Sequence, residues 1–269
     1  MNSLAGRACL FFPIVVLASC GPSGESSTST AIESREIVYQ RGHQLYLSME
    51  LDKAEAELRR AASMDSTYVA PATDLGSLYY DKGVREEGEN NPRRIEYFRL
   101  ARAWFARAEA LGNSDASVYE RLCEIAVALD DSKTFLKYAR KNVERYPYGR
   151  QFYNLGLACY EAEDWQGVIK SQKEAIQRFK DSPYLGGFYR QMGRAYMKLD
   201  RDQTAERTLT AGVQAVEAKL HTAAKGDRKR LLDDKVGMLL LLKRLHTTYG
   251  AAEKLQQVER QLREAGYGK

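Results

Sequence analysis

The sequence predicts an all-helical protein built from a stack of similar helical hairpins. Three observations carry that expectation. No stretch sustains the period-two alternation of a half-buried strand. A large apolar residue followed at once by a small one, and usually by a ring three places later, recurs at Leu75-Gly76-x-x-Tyr79 and Met192-Gly193-x-x-Tyr196. Leu155-Gly156 with Cys159 repeats the spacing. The composition, 44% hydrophobic with only 6 prolines and with 17 tyrosines against 8 Phe and 2 Trp, suits closely packed helices over a sizeable core. The small residue is needed where two helices cross so closely that a larger side chain would drive the backbones apart.

Before the repeats, the chain opens with a different kind of segment. Arg7 gives a positive start, Ala8 to Val16 is a largely apolar run, and Leu17-Ala18-Ser19-Cys20 follows at once. The run is too short to span a bilayer and has the length of a secretory signal core, so residues 1–19 are expected to be removed on export. Leu17 to Cys20 resemble the lipobox of bacterial lipoproteins. The resemblance implies acylation of the Cys20 thiol and cleavage just before it. Two or three acyl chains make membrane attachment stable where one does not. In the sorting rule of proteobacterial lipoproteins, Asp after the Cys retains the protein in the inner membrane. Here that residue is Gly21, which implies the periplasmic face of the outer membrane. Residues 20–33 follow as a tether of Gly, Ser and Thr, whose reach is roughly 20 Å.

Hairpin starts fall near Arg35, Val69, Ala116, Gly149 and Gly186. The first hairpin sets Gly42 and Leu45 against Ala54, Leu58 and Ala61. In the second, Leu75, Gly76 and Tyr79 are answered late, by Ala101, Phe105 and Ala108. An insertion near residues 82–97 is expected, with Gly83 to Pro92 as its loop and Pro92 starting the second helix. The third hairpin carries Tyr119, Leu122, Cys123, Ala126 and Ala139 and ends at Pro147. The fourth carries Phe152, Leu155, Gly156, Cys159, Val168 and Ala175, and the fifth Met192, Gly193, Tyr196, Ala205, Leu209 and Gly212. Asp52, Asp131 with Ser132, Asp164 and Asp202 stand where a short polar side chain caps the second helix of a hairpin. Residues 213–269 depart from the pattern. Lys225-Gly226-Asp227 is expected to break a long helix, Arg228 to Thr248 to form another, and Ala251 to Ala265 a last one. This pair would cover the exposed apolar end of the stack.

These hairpins resemble the tetratricopeptide repeat (TPR), a resemblance that covers residues 34–212. It implies a right-handed α-solenoid with C-terminal capping helices and a concave groove that binds proteins. Arg41, at a place usually apolar, and Phe135, at a place usually Ala, depart from the family pattern. In the family, the second, fifth, ninth, twelfth and thirteenth places of each repeat line the groove. Here they carry Tyr39, His43 and Tyr46, then Tyr80, Glu120 and Glu124, then Tyr153 and Tyr160, then Arg190 and Arg194. Tyr39, His43, Tyr80, Tyr153, Tyr160, Arg190 and Arg194 are the candidate partner-binding residues, since rings and Arg dominate protein interfaces. The same rings can instead pack between neighbouring repeats. The Lys and Asn pairs of the family's carboxylate clamp are absent.

No constellation for catalysis, metal or cofactor is visible. His43, His221 and His246 stand far apart, and there is no short Cys pair, phosphate-binding Gly loop or nucleophile elbow. Adjacent acids such as Asp233-Asp234 read as solvated surface, as does Arg228-Lys229-Arg230, although that basic run can also touch lipid head groups. The formal charge of +5, one unit of it from Arg7, is too small and too dispersed to argue for nucleic acid. Once Cys9 and Cys20 are set aside, Cys123 and Cys159 are left as either a disulfide or two separate buried thiols. The expected function is a lipid-anchored cell-envelope adaptor with a protein or peptide partner. The alternative is a fixed structural subunit of an outer-membrane machine, and an enzyme comes third.

Overall fold

The computed structural model describes residues 33–267. The expectations for the signal, Cys20 and most of the tether lie outside them. Among the described residues the chain forms twelve α-helices and no strand. They are α1 (Arg35–Leu47), α2 (Leu51–Met64), α3 (Val69–Arg85), α4 (Pro92–Ala110), α5 (Ala116–Ala128), α6 (Ser132–Arg145), α7 (Gly149–Glu161), α8 (Trp165–Arg178), α9 (Leu185–Lys198), α10 (Asp202–Leu220), α11 (Lys225–Thr248) and α12 (Ala252–Glu264). Each odd-numbered helix packs on the even-numbered helix that follows it, giving six antiparallel hairpins. First helices also touch one another across hairpins, α1 on α3, α3 on α5, α7 on α9 and α9 on α11. No second helix approaches the next second helix. The first helices therefore line the inner side of the curve.

The small residues sit where the pattern requires. A Cβ on Gly76 would stand 2.6 Å from the Phe105 ring of α4, and one on Gly193 would stand 2.4 Å from Leu209 Cδ2 of α10. Leu58, Phe105, Val168, Ala175, Ala205 and Leu209 are all buried on the facing helices. The second hairpin differs from expectation. Gly83 lies inside α3 rather than in a loop, and its missing side chain admits Phe98 of α4. The insertion has lengthened both helices, leaving only residues 86–91 between them. There Asn91 caps α4 by accepting from the Arg93 amide at 2.9 Å, with Pro92 at the first helical place.

Of the four expected Asp caps, two perform that role. Asp131 accepts from the Thr134 amide at 3.0 Å and Asp164 from the Gly167 amide at 2.9 Å. Asp52 lies two places and Asp202 one place past the cap, inside the first turns of α2 and α10, where a negative charge still favours the helix dipole. The first helix of each of four hairpins ends in one repeated device. Met49, Asp130, Glu163 and Asp200 occupy the same place in their repeats and all adopt left-handed backbone angles, with φ between 52° and 62°. The next amide closes the turn by donating back across it, as from Asp131 to the Ala126 carbonyl and from Asp164 to the Cys159 carbonyl. Gly250 takes this place between α11 and α12, and the Ala251 amide donates to the His246 carbonyl. The sixth pair is thus built as the other hairpins are. The break before α11 falls at residues 221–224, earlier than expected, so that Gly226 belongs to α11.

Asp234, expected on the surface, is what seats α11. Its side chain is only 6% exposed. It lies against the N-terminal turn of α9, with the Gly187 amide bonded to it and Arg190 Nη2 at 3.2 Å. Gly186 makes the approach possible, since a Cβ there would stand 2.6 Å from that of Asp234. Burial raises the Asp234 pKa above the ordinary carboxylate value, and Arg190 and Arg230 only partly offset it. Nearby, Arg230 stays exposed and stacks 4.4 Å over the Tyr184 ring.

Two measurements test this account. Glu163→Gly removes a left-handed strain worth roughly 1–2 kcal/mol at the cost of a more flexible unfolded chain, so a net gain of about 1 kcal/mol or less is expected by urea unfolding. A clear loss would mean that the turn is not strained. Because the folded-state pKa of Asp234 is raised, its contribution to stability is fully present below the unfolded value and declines as pH rises through the folded one. Asp234→Asn, neutral throughout, is expected to gain stability relative to the parent between pH 3.5 and pH 7. The opposite trend would show that Arg190 outweighs burial.

Candidate functional site

The inner surface is assembled from one face of each successive first helix. Its polar side chains reach from one hairpin to the next. His43 of α1 meets Asp74 of α3, Nδ1 to Oδ2 at 2.7 Å, and the Tyr46 hydroxyl donates to Asp81 at 2.7 Å. The Tyr80 hydroxyl of α3 donates to Glu124 of α5 at 2.9 Å, while Arg121 lies 4.1 Å over the Tyr80 ring. Glu120 of α5 accepts from Gln151 of α7 at 2.9 Å and pairs with Arg150 at 3.1 Å. Gln191 of α9 donates to the Tyr153 carbonyl of α7 at 3.3 Å, and Arg194 stacks 4.0 Å over Tyr160. Arg190 closes the series on Asp234 of α11. Every step along the inner face is bridged.

This row includes all seven candidate residues, each with a role between or within repeats. Tyr39 packs edge-on against Tyr68 at 5.3 Å. Tyr153 stacks near Tyr184 at 5.1 Å and fills the space left by Gly187. Tyr160 meets Trp165 edge-on at 4.9 Å. Burial, and then the carboxylate that accepts its hydroxyl, raises the pKa of Tyr46 and of Tyr80. These phenols therefore stay protonated as donors to Asp81 and Glu124. From α1 to α7 what remains open to a visitor is mainly ring face and alkyl chain.

Two members of the surface carried no ring to draw attention to them. Val127 and Met197 occupy the same place in α5 and α9 that Tyr46, Tyr80 and Tyr160 occupy in α1, α3 and α7. Val127 is 59% exposed, as is Leu47 at the end of α1. The signal for them was register rather than residue type. Read by register, the twelfth place carries an apolar or aromatic residue in each of five hairpins.

Nothing gathered here suits covalent chemistry. Cys123 and Cys159 are separate thiols, not a disulfide, each buried in its own apolar surroundings. Burial pushes the Cys123 thiol up to about 12 and that of Cys159 to about 11, which leaves both un-ionised and unreactive at neutral pH. Among the described residues, no three His, Cys, Asp or Glu side chains gather to hold a metal ion, and no helix is long and apolar enough to cross a membrane.

No protein-family model matches the chain, and a search of curated proteins finds no match. Solved structures do resemble it. YrrB, described as a TPR protein with an unusual peptide-binding site, superposes with a TM-score of 0.54 at 16% identity over 74% of this chain and 90% of its own. MamA gives 0.54 at 17% identity over 71% of this chain and 96% of its own. A second MamA structure, AMB-1, gives 0.52 at 16% identity over 71% and 94%. At such identities the likeness speaks to architecture. Together with the six hairpins, the small residues at their crossings and the inner row of first helices, it establishes that this chain has the tetratricopeptide-repeat fold.

Proposed function

We propose that this protein is a lipid-anchored adaptor of the bacterial cell envelope, one that holds a partner protein or peptide along its inner face. The observation that carries this reading is the apolar or aromatic residue at the twelfth place. Tyr46, Tyr80, Val127, Tyr160 and Met197 present apolar surface at that place in successive first helices, and the bridges beneath them fix its shape before any partner arrives. A surface ordered in advance spends little binding energy on its own immobilisation. The peptide-binding site reported for YrrB is a precedent for such use of this fold. Anchoring rests on the lipobox-like Leu17 to Cys20, and the outer-membrane, periplasmic assignment rests on Gly21. The inert thiols and the absence of a catalytic constellation in the sequence support binding over catalysis.

A second reading, a fixed structural subunit of an outer-membrane machine, draws on the lengthened α3–α4 hairpin. Its added turn exposes Val84 beyond the reach of the shorter neighbours.

Photo-crosslinking in the native cell separates the two. A crosslinker at Val127 is expected to capture an envelope protein, while capture only from Val84 would replace the first reading with the second. Val127→Glu should change stability by no more than about 0.5 kcal/mol, because the side chain is exposed. It should nevertheless weaken partner capture by about fivefold or more, the effect of losing a central interface contact. Cys20→Ser is expected to move the protein from the membrane fraction to the soluble one; persistent membrane attachment would exclude lipidation at that site.

A further inference from the structure

Along most of the inner face, charge is neutralised within the protein. Glu124 is met by Arg121, Glu120 by Arg150 and Asp234 by Arg190, while Asp74 and Asp81 are hydrogen-bonded by His43 and Tyr46. The C-terminal end breaks this rule. A cleft of about 520 Å³ opens there between α7, α9 and α11, and three of its lining residues are cations. Arg194 and Lys198 are one turn apart on α9, and Arg244 faces them from α11. Among the described residues, none of the three has a carboxylate within ion-pair distance. Two are positioned by rings instead, Arg194 at 4.0 Å over Tyr160 and Lys198 at 5.6 Å over Trp165. A ring holds a cation without cancelling its charge. Of the cleft's own carboxylates, Asp200 stands in the turn between α9 and α10 and Asp202 opens α10, where it is already engaged by the Tyr249 hydroxyl. Three cations against two carboxylates leave the cleft positive, and Tyr160, Met197 and Leu241 give it an apolar floor.

We propose that this cleft recognises an acidic peptide segment that also carries apolar side chains. Arg194, Lys198 and Arg244 would receive its carboxylates while Tyr160, Met197 and Leu241 receive its apolar groups. This deepens the reading of the inner face as a partner-binding groove and rests on it. Two features favour a peptide over an anionic membrane. The cations lie in a recess on the inner curve, where a narrow chain enters and a flat lipid surface does not. The cleft is also lined by apolar residues alongside its cations, which suits a segment that carries both acidic and apolar side chains.

The test uses the full chain in a neutral detergent and fluorescence anisotropy with two labelled ten-residue peptides, one of alternating Glu and Leu and one of alternating Lys and Leu. The Glu peptide is expected to bind at least tenfold more tightly, and the preference should shrink as salt is raised from 0.05 M to 0.5 M. Arg194→Ala with Lys198→Ala and Arg244→Ala should abolish it. Lys198→Glu with Arg244→Glu alters only exposed side chains, so it should keep the helical circular dichroism and the melting temperature of the parent while reversing the preference. Equal binding of both peptides, or a preference that survives the charge reversal, overturns the proposal. So does a charge reversal that changes only flotation with phosphatidylglycerol vesicles, since the cations would then be a lipid contact. If the peptides are not discriminated while Val127→Glu still abolishes capture in cells, the groove stands and the acidic specificity alone falls.

Discussion

The close crossing of two helices within each hairpin is the constraint on which the rest of this structure depends. At Gly42, Gly76, Gly156 and Gly193 the second helix approaches so nearly that its side chains occupy the space a Cβ would need. That approach lets Leu58, Phe105 and Leu209 bury completely against the backbone of their partners. It also fixes which face of each first helix turns inward to the crossing and which is left for the next hairpin. The third hairpin uses Cys123 instead of Gly, and the buried thiol acts there as a small apolar side chain rather than as a reagent. At Gly156 the crossing is polar. Gln172 and Gln191, both fully buried, close over the glycine from α8 and α9 and donate to the carbonyls of Phe152 and Tyr153. Among the described residues their amide oxygens have no hydrogen-bond partner, so this crossing gains register at a cost in cohesion that an apolar contact would not carry.

With the crossings set, the inner face follows. First helices come near enough to exchange side-chain contacts, and second helices do not. Many of the carboxylates, phenols and guanidinium groups on that face can then bond to the neighbouring hairpin. Such bridges are individually worth little where solvent reaches them, as it does at His43–Asp74 and Tyr80–Glu124. Their effect is geometric. They remove most polar groups from competition and leave a row of ring faces and alkyl groups as the accessible chemistry. Structural and binding roles are therefore properties of different atoms in the same residues. Tyr80 spends its hydroxyl on Glu124 and keeps part of its ring exposed.

How much of this was legible in the sequence depended on how local the cause was. Helix starts at Arg35, Val69, Ala116 and Gly149 could be read because the large-small pair and its ring recur at short, fixed spacing. Gly83 could not be placed, because a glycine near acidic residues has a loop's composition whether or not a Phe98 waits opposite. Asp234 was misread for a similar reason. Beside Asp233 it looks like surface, and only the docking of α11 on the first turn of α9 makes it interior. The left-handed residues at Met49, Asp130, Glu163 and Asp200 share no chemistry at all, so their common role appears only when backbone angles are compared. For the candidate surface, Tyr and Arg were visible by type, whereas Val127 and Met197 were visible only by place.

The C-terminal end shows why this division matters. A terminal hairpin must cover apolar surface, and α11 does so with Leu231, Met238, Leu239 and Leu242 buried against α10 and α12. It must also be seated, which Asp234 accomplishes by joining Arg190 and the amide end of α9. Arg190 is thereby taken out of the groove. Arg194, one turn further along α9, has no counterpart of Asp234 on α11; the charged residue that α11 contributes to the cleft is Arg244. A helix whose only task was to close the stack would have little reason to set a second cation opposite the first, because their repulsion opposes the docking that Asp234 secures. The arrangement becomes favourable when something negative lies between them, and the inner face leaves room for it there.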